Sequence, residues 1–138
     1  MKKASFLGWS LGGVVALEVC KGLQKNVLIK SLSLVDSIFR YDKYPKIKED
    51  HNNINYRYAI DIEKDVKVDF HINLFKCDSL DYNRPTFDIF NYYKNIYDNH
   101  LSDLIDTNDI NIFNLKESDH YNWVKNQDHI DLILSEII

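Results

Sequence analysis

Glycine, proline and cysteine are scarce in this chain of 138 residues, at four, two and two. Two cysteines without metal-ligand spacing exclude a disulfide framework and a thiolate metal cluster, so Cys20 and Cys77 read as reduced core thiols. No apolar run approaches the roughly 20 residues that cross a bilayer. Met1-Lys2-Lys3 leads straight into a short strand without a cleavable apolar region, so a soluble, cytoplasmic chain with no membrane partner is expected. An excess of positive charge is also missing: 17 Lys and Arg are scattered among 21 Asp and Glu. That excludes nucleic acid as a partner. Internal repeats are absent, and the one loose stretch runs from Arg40 to Asn55 around Pro45 and Asn52-Asn53.

Three of the four glycines crowd into one run, Phe6-Leu7-Gly8-Trp9-Ser10-Leu11-Gly12-Gly13. A short apolar segment precedes it, and Val14, Val15, Leu17, Val19 and Leu23 follow with helical spacing. The bare pattern also fits a glycine-rich turn in which Ser10 caps a helix, but a strand before and a helix after are the context of a nucleophile elbow. In such an elbow the serine sits on a sharp, strained turn where side chains at Gly8 and Gly12 are expected to collide. The Leu11 N–H, at a helix N-terminus, then points toward a developing oxyanion.

The rest of the chain alternates between strand and helix. Ala4 to Gly8 is the first strand, Ser10 to Leu23 a helix, and Val27 to Val35 the second strand. Asn55 to Lys64 is expected to be helical, and the period of two through Val66, Val68, Phe70, Ile72 and Leu74 predicts one third strand. Thr86 is a candidate cap for a long helix running through Tyr92, Tyr93, Ile96, Tyr97, Leu101 and Leu104. Ile110 to Phe113 forms a fourth strand and Asp128 to Ile138 a last helix. This order implies an α/β fold of one domain, with a mostly parallel sheet of about four strands flanked by helices.

A serine nucleophile needs a base, and the base an orienting acid. His51 lies in the loose stretch, His71 alternates along a strand, and His100 and His129 fall on helices. His120 stands apart. It follows the fourth strand in Glu117-Ser118-Asp119-His120-Tyr121-Asn122, at the carboxyl edge where α/β sheets place their active sites. Two acids compete for the third role: Asp36 ends the second strand in Leu34-Val35-Asp36-Ser37, and Asp78 follows the third in Phe75-Lys76-Cys77-Asp78. Both emerge on the same edge, and the spacing does not rank them.

Taken together, Gly8-Trp9-Ser10-Leu11-Gly12-Gly13, Ser33-Leu34-Val35-Asp36-Ser37 and Ser118-Asp119-His120-Tyr121-Asn122 resemble the thioesterase domain of non-ribosomal peptide and polyketide synthetases. Those domains are α/β-hydrolases. The resemblance implies Ser10 as nucleophile, His120 as general base and acid, and Asp36, rather than Asp78, as the acid. It further implies an acyl or peptidyl carrier protein as partner. The chain on its phosphopantetheine arm would pass to Ser10 and then to water, or to an internal nucleophile that closes a ring. No other cofactor and no metal are expected.

The chain starts almost at the elbow. The family's earlier strands, and the loop that carries a second oxyanion donor, are therefore expected to be missing, and Ser37 to Asp65 to form a reduced lid. An exposed edge on the first strand follows, with a dimer through that edge or an upstream portion of a synthetase as its expected cover. Two other functions fit the same residues: a stand-alone editing thioesterase for misloaded carrier proteins, and a non-catalytic fragment that binds a carrier protein or completes another chain's fold.

Overall fold

Four parallel strands carry the architecture. In a computed structural model that describes residues 2–47 and 62–137, β1 (Lys3–Trp9), β2 (Leu28–Val35), β4 (His71–Cys77) and β6 (Ile110–Leu115) form one sheet in that order, each neighbouring pair parallel. β3 (Val66–Lys67) and β5 (Ile105–Asp106) pair separately as a second, two-stranded parallel sheet. The helices are α1 (Leu11–Leu23), α2 (Phe87–Lys94) and α3 (Gln127–Ile137), with short 3₁₀ turns between. Among the described residues no helix is long and apolar enough to cross a membrane. Residues 55–61 of the helix expected over Asn55 to Lys64, and residues 48–61 of the expected lid, fall outside the described residues, and Ile62 to Lys64 are not helical.

β2 and β4 are buried on both faces, as central parallel strands are. Leu32, Leu34, Ile72 and Leu74 are wholly buried, joined by Leu17 and Cys20 from α1 and by Leu101 and Leu104. Truncating any one of these leucines would cost about 2–5 kcal/mol. The polar residues in the same strands answer one another: Ser33 and Asn73 are register partners, and the Asn73 amide donates to the Ser33 hydroxyl at 3.4 Å. β1 lies at the edge of the sheet, where Leu7, Trp9 and Leu28 are exposed.

Two expected elements break where the structure supplies other hydrogen-bond partners. The predicted third strand is two, β3 and β4, although Val68 and Phe70 between them stay buried and keep the period of two. In the gap the Gln24 side chain takes the place of a ladder, donating to the Lys67 carbonyl at 3.1 Å and accepting from the Asp69 N–H at 3.4 Å. The long helix expected from Thr86 to Leu104 stops at Lys94. Its last carbonyls are claimed by the Lys76 ammonium, which donates to Tyr93, Ile96 and Tyr97, and the chain then turns through Asn99 and His100 with φ of 55° and 66°. A helix does not survive two consecutive left-handed residues.

Candidate active site

Because all four strands of the main sheet run the same way, the residues after them meet on one edge. Ser10 follows β1, Asp36 follows β2, Asp78 follows β4, and His120 lies on the loop after β6. Ser10 occupies a strained conformation, φ 55° and ψ −129°, that side chains seldom adopt. It is held there from three sides. The Ser10 N–H donates to the Val35 carbonyl at 3.1 Å, the Gly13 N–H donates to the Ser10 carbonyl at 3.0 Å, and the Ser37 hydroxyl donates to that same carbonyl at 2.7 Å.

Glycine is required at two positions of this turn, and they are not the expected pair. A Cβ on Gly8 would lie 2.5 Å from the Gly13 Cα, and one on Gly13 would lie 1.9 Å from the Ser37 Oγ. Gly12 has nothing within 4 Å of such an atom, so the collision expected there is absent. The crowded contacts lie between β1 and α1, and between α1 and the turn after β2; Gly12 points elsewhere.

Ser10, His120 and Asp36 form one hydrogen-bonded line. The Ser10 hydroxyl is 2.9 Å from His120 Nε2, and His120 Nδ1 is 2.9 Å from Asp36 Oδ2. With Nδ1 donating to the carboxylate, Nε2 is left to accept from the serine. The other Asp36 oxygen accepts the Cys77 N–H at 3.1 Å, which fixes the carboxylate between β4 and the histidine. His120 and Asp36 are both buried. Such a line lets a hydroxyl proton leave for an imidazole whose new charge faces a carboxylate. Leu11, the first residue of α1, offers an N–H that has no acceptor within the helix, the position from which an oxyanion donor acts.

Asp78 does something else. It accepts the Glu117 N–H at 2.7 Å and the Ser79 hydroxyl at 3.1 Å, so it braces the loop that carries His120. The remaining described histidines are engaged away from this line: His71 with Asp109 and Asn73, His100 with the Tyr92 hydroxyl, and His129 with the Lys116 carbonyl. His51 lies outside the described residues.

Several partners of His120 had no signal in residue spacing. Phe90 stacks on the imidazole with ring centroids 4.0 Å apart, Tyr121 meets it edge-on at 5.1 Å, and Trp9 lies 5.5 Å away. Aromatic faces stabilise an imidazolium. Behind Asp36, burial lowers the pKa of the Lys76 ammonium while the Asp36 charge opposes that shift. Burial, reinforced by Asp36, raises the pKa of the Cys77 thiol.

A cavity of about 450 Å³ opens onto Ser10 and His120. Comparison with known proteins fits this layout. Two solved structures share the fold: a protein of Agrobacterium vitis S4 provisionally designated a hydrolase superposes with a TM-score of 0.61 at 13% identity, over 99% of this chain and 60% of that one. The shared fold is an α/β fold, a mostly parallel sheet flanked by helices. The second, the Vlm2 thioesterase domain bound with a dodecadepsipeptide, matches with a TM-score of 0.57 at 12% identity, over 95% of this chain and 64% of that domain. In sequence the chain is 28% identical, over 144 aligned residues and 95% of its length, to N-(5-amino-5-carboxypentanoyl)-L-cysteinyl-D-valine synthase of Amycolatopsis lactamdurans, a non-ribosomal peptide synthetase. It spans 4% of that synthase and under two thirds of each solved structure. No family model matches. The resemblance to synthetase thioesterase domains read from the three motifs is thus borne out, on a mostly parallel α/β sheet.

Proposed function

We propose that the chain is a serine thioesterase that releases an acyl or peptidyl group from the phosphopantetheine thioester of a carrier protein. The observation that carries this reading is the line of two 2.9 Å contacts from Ser10 through His120 to Asp36, with Ser10 on a strained turn at a helix N-terminus. His120 Nε2 takes the hydroxyl proton as Ser10 Oγ attacks the thioester carbonyl, and the Leu11 N–H receives the oxyanion. The tetrahedral intermediate then collapses: the C–S bond breaks, the proton on His120 goes to the thiolate, and an acyl-serine remains. Water, deprotonated by the same imidazole, attacks that ester and frees the acid and Ser10; an internal nucleophile in place of water would release a ring. Asp36 holds the tautomer and stabilises the imidazolium throughout.

The test is hydrolysis of acyl-phosphopantetheinyl carrier protein by the full chain and by Ser10→Ala. The reading expects thiol release by the first and none above background by the second. Equal rates would end it.

One observation favours a second reading. β1 is an edge strand with Leu7, Trp9 and Leu28 exposed beside it, and such edges pair with further strands. On that reading the chain completes its sheet with another copy or another chain, and sedimentation at several concentrations would reveal the association.

A further inference from the structure

The cavity beside Ser10 and His120 has a chemistry of its own. Its walls are largely aliphatic and aromatic, with Leu11, Val14, Phe39, Ile89, Phe90 and Leu104 among the described residues that line it. Arg40 is the one permanently charged side chain among those described residues, and two carboxylates already face its charge. Its Nε and Nη2 each donate to Asp42 at 3.0 Å, and its Nη1 donates to Asp103 at 3.4 Å. Other polar side chains of the described lining are paired too: the Thr86 and Tyr121 hydroxyls lie 2.6 Å apart, Ser10 and His120 hold each other, and the Trp9 indole N–H donates to the His120 carbonyl. A carboxylate carried in among those apolar walls would surrender its hydration and meet an arginine whose charge two carboxylates already face.

From this we infer that the cavity is an acyl pocket for an uncharged, apolar chain, of the class of a medium-length fatty acyl group, and that it rejects a chain ending in a carboxylate. The inference rests on the thioesterase reading for what the pocket serves, but the pocket itself can be tested without turnover. Gly12 provides the means. It lines the cavity, and a Cβ added there would meet nothing within 4 Å, so Gly12→Leu is expected to narrow the pocket without a clash at the backbone.

The experiment is calorimetric titration of the Ser10→Ala chain with N-acetylcysteamine thioesters of butanoyl, hexanoyl, octanoyl and 7-carboxyheptanoyl groups. Each two-carbon extension is expected to tighten binding about tenfold, the transfer free energy of two methylenes. The terminal carboxylate is expected to weaken binding at least fiftyfold relative to octanoyl. Adding Gly12→Leu should keep or raise the melting temperature and weaken octanoyl binding at least tenfold. A flat chain-length series, equal binding of the carboxylate-ended thioester, or an unaltered affinity in the Gly12→Leu chain would each overturn the inference. Chain-length-dependent binding with no hydrolysis by the Ser10-containing chain would support the pocket and count against the thioesterase reading. Hydrolysis indifferent to chain length and to terminal charge would do the reverse.

Discussion

Trp9 donates its indole N–H to the backbone carbonyl of His120 at 3.0 Å, joining β1 to the loop after β6 across 111 positions of sequence. The residue next to Ser10 therefore positions His120 as well, from the backbone side, while Phe90 and Tyr121 confine the ring. Trp9→Phe keeps an aromatic ring and removes the donor. Losing one such bond costs about 0.5–1.5 kcal/mol, and the expected outcome is a roughly tenfold fall in kcat for thioester hydrolysis with the fold retained. An unchanged kcat would make Trp9 a packing residue only.

The two acids separate in the same assay. Asp36 bonds the imidazole directly, so Asp36→Asn should leave the histidine in the wrong tautomer; in a serine protease that defect lowers turnover about ten-thousandfold, and a loss of similar order is expected here. Asp78 holds the Glu117 N–H and Ser79 instead, and an amide oxygen at Asp78→Asn still accepts both bonds. A loss under tenfold is expected for it.

Glycine substitutions test the turn by stability rather than activity. Gly8→Ala forces a contact against the Gly13 backbone and should destabilise by more than about 3 kcal/mol, or prevent folding. Gly12→Ala adds a methyl group in open space within a helix and should stabilise by about 0.5–1 kcal/mol. Thermal or urea melts of the pair give the comparison. A reversed order would mean that the close approach between β1 and α1 is misjudged.

Alkaline stability depends on the buried thiols. Burial raises Cys20 from 9.0 to about 11. Below pH 9 the thiol is protonated in both states and its stabilising contribution is fully present. Between pH 9 and 11 the unfolded chain releases the proton and the folded chain keeps it, so stability falls as pH rises, by about 1.4 kcal/mol per pH unit for this group. Cys20→Ala is expected to lower stability near neutral pH and to flatten that alkaline slope by one proton's worth, read from urea melts at pH 8, 9, 10 and 11. An unchanged slope would show that the thiol titrates alike in both states.

Much of the site was legible because its residues sit at strand ends. In a parallel sheet a strand end is a place in space, so Ser10, Asp36, Asp78 and His120 were assigned to one edge without side-chain contacts. Which acid faces His120 was not readable from spacing, because both leave the sheet on that edge and only the path of the loop after β6 decides. The broken third strand and the shortened helix were misread for a shared reason: Val68 and Phe70, like Leu101 and Leu104, keep the burial pattern of the expected element after its backbone has found other partners. Gln24 and Lys76, which supply those partners, lie 43 or more positions and 17 to 21 positions from the bonds they make. The open space beside Gly12 was likewise invisible in the motif, since the motif records glycine without recording what lies beside it.

Mass-spectrometric mapping of the full chain after reaction with a fluorophosphonate tests the central claim most directly. A single adduct on the peptide carrying Ser10, absent from Ser10→Ala and strongly reduced in Asp36→Asn, is the predicted result. Adducts on other serines, or labelling that persists undiminished in Ser10→Ala, would contradict the assignment of Ser10, His120 and Asp36 as a working nucleophile, base and acid.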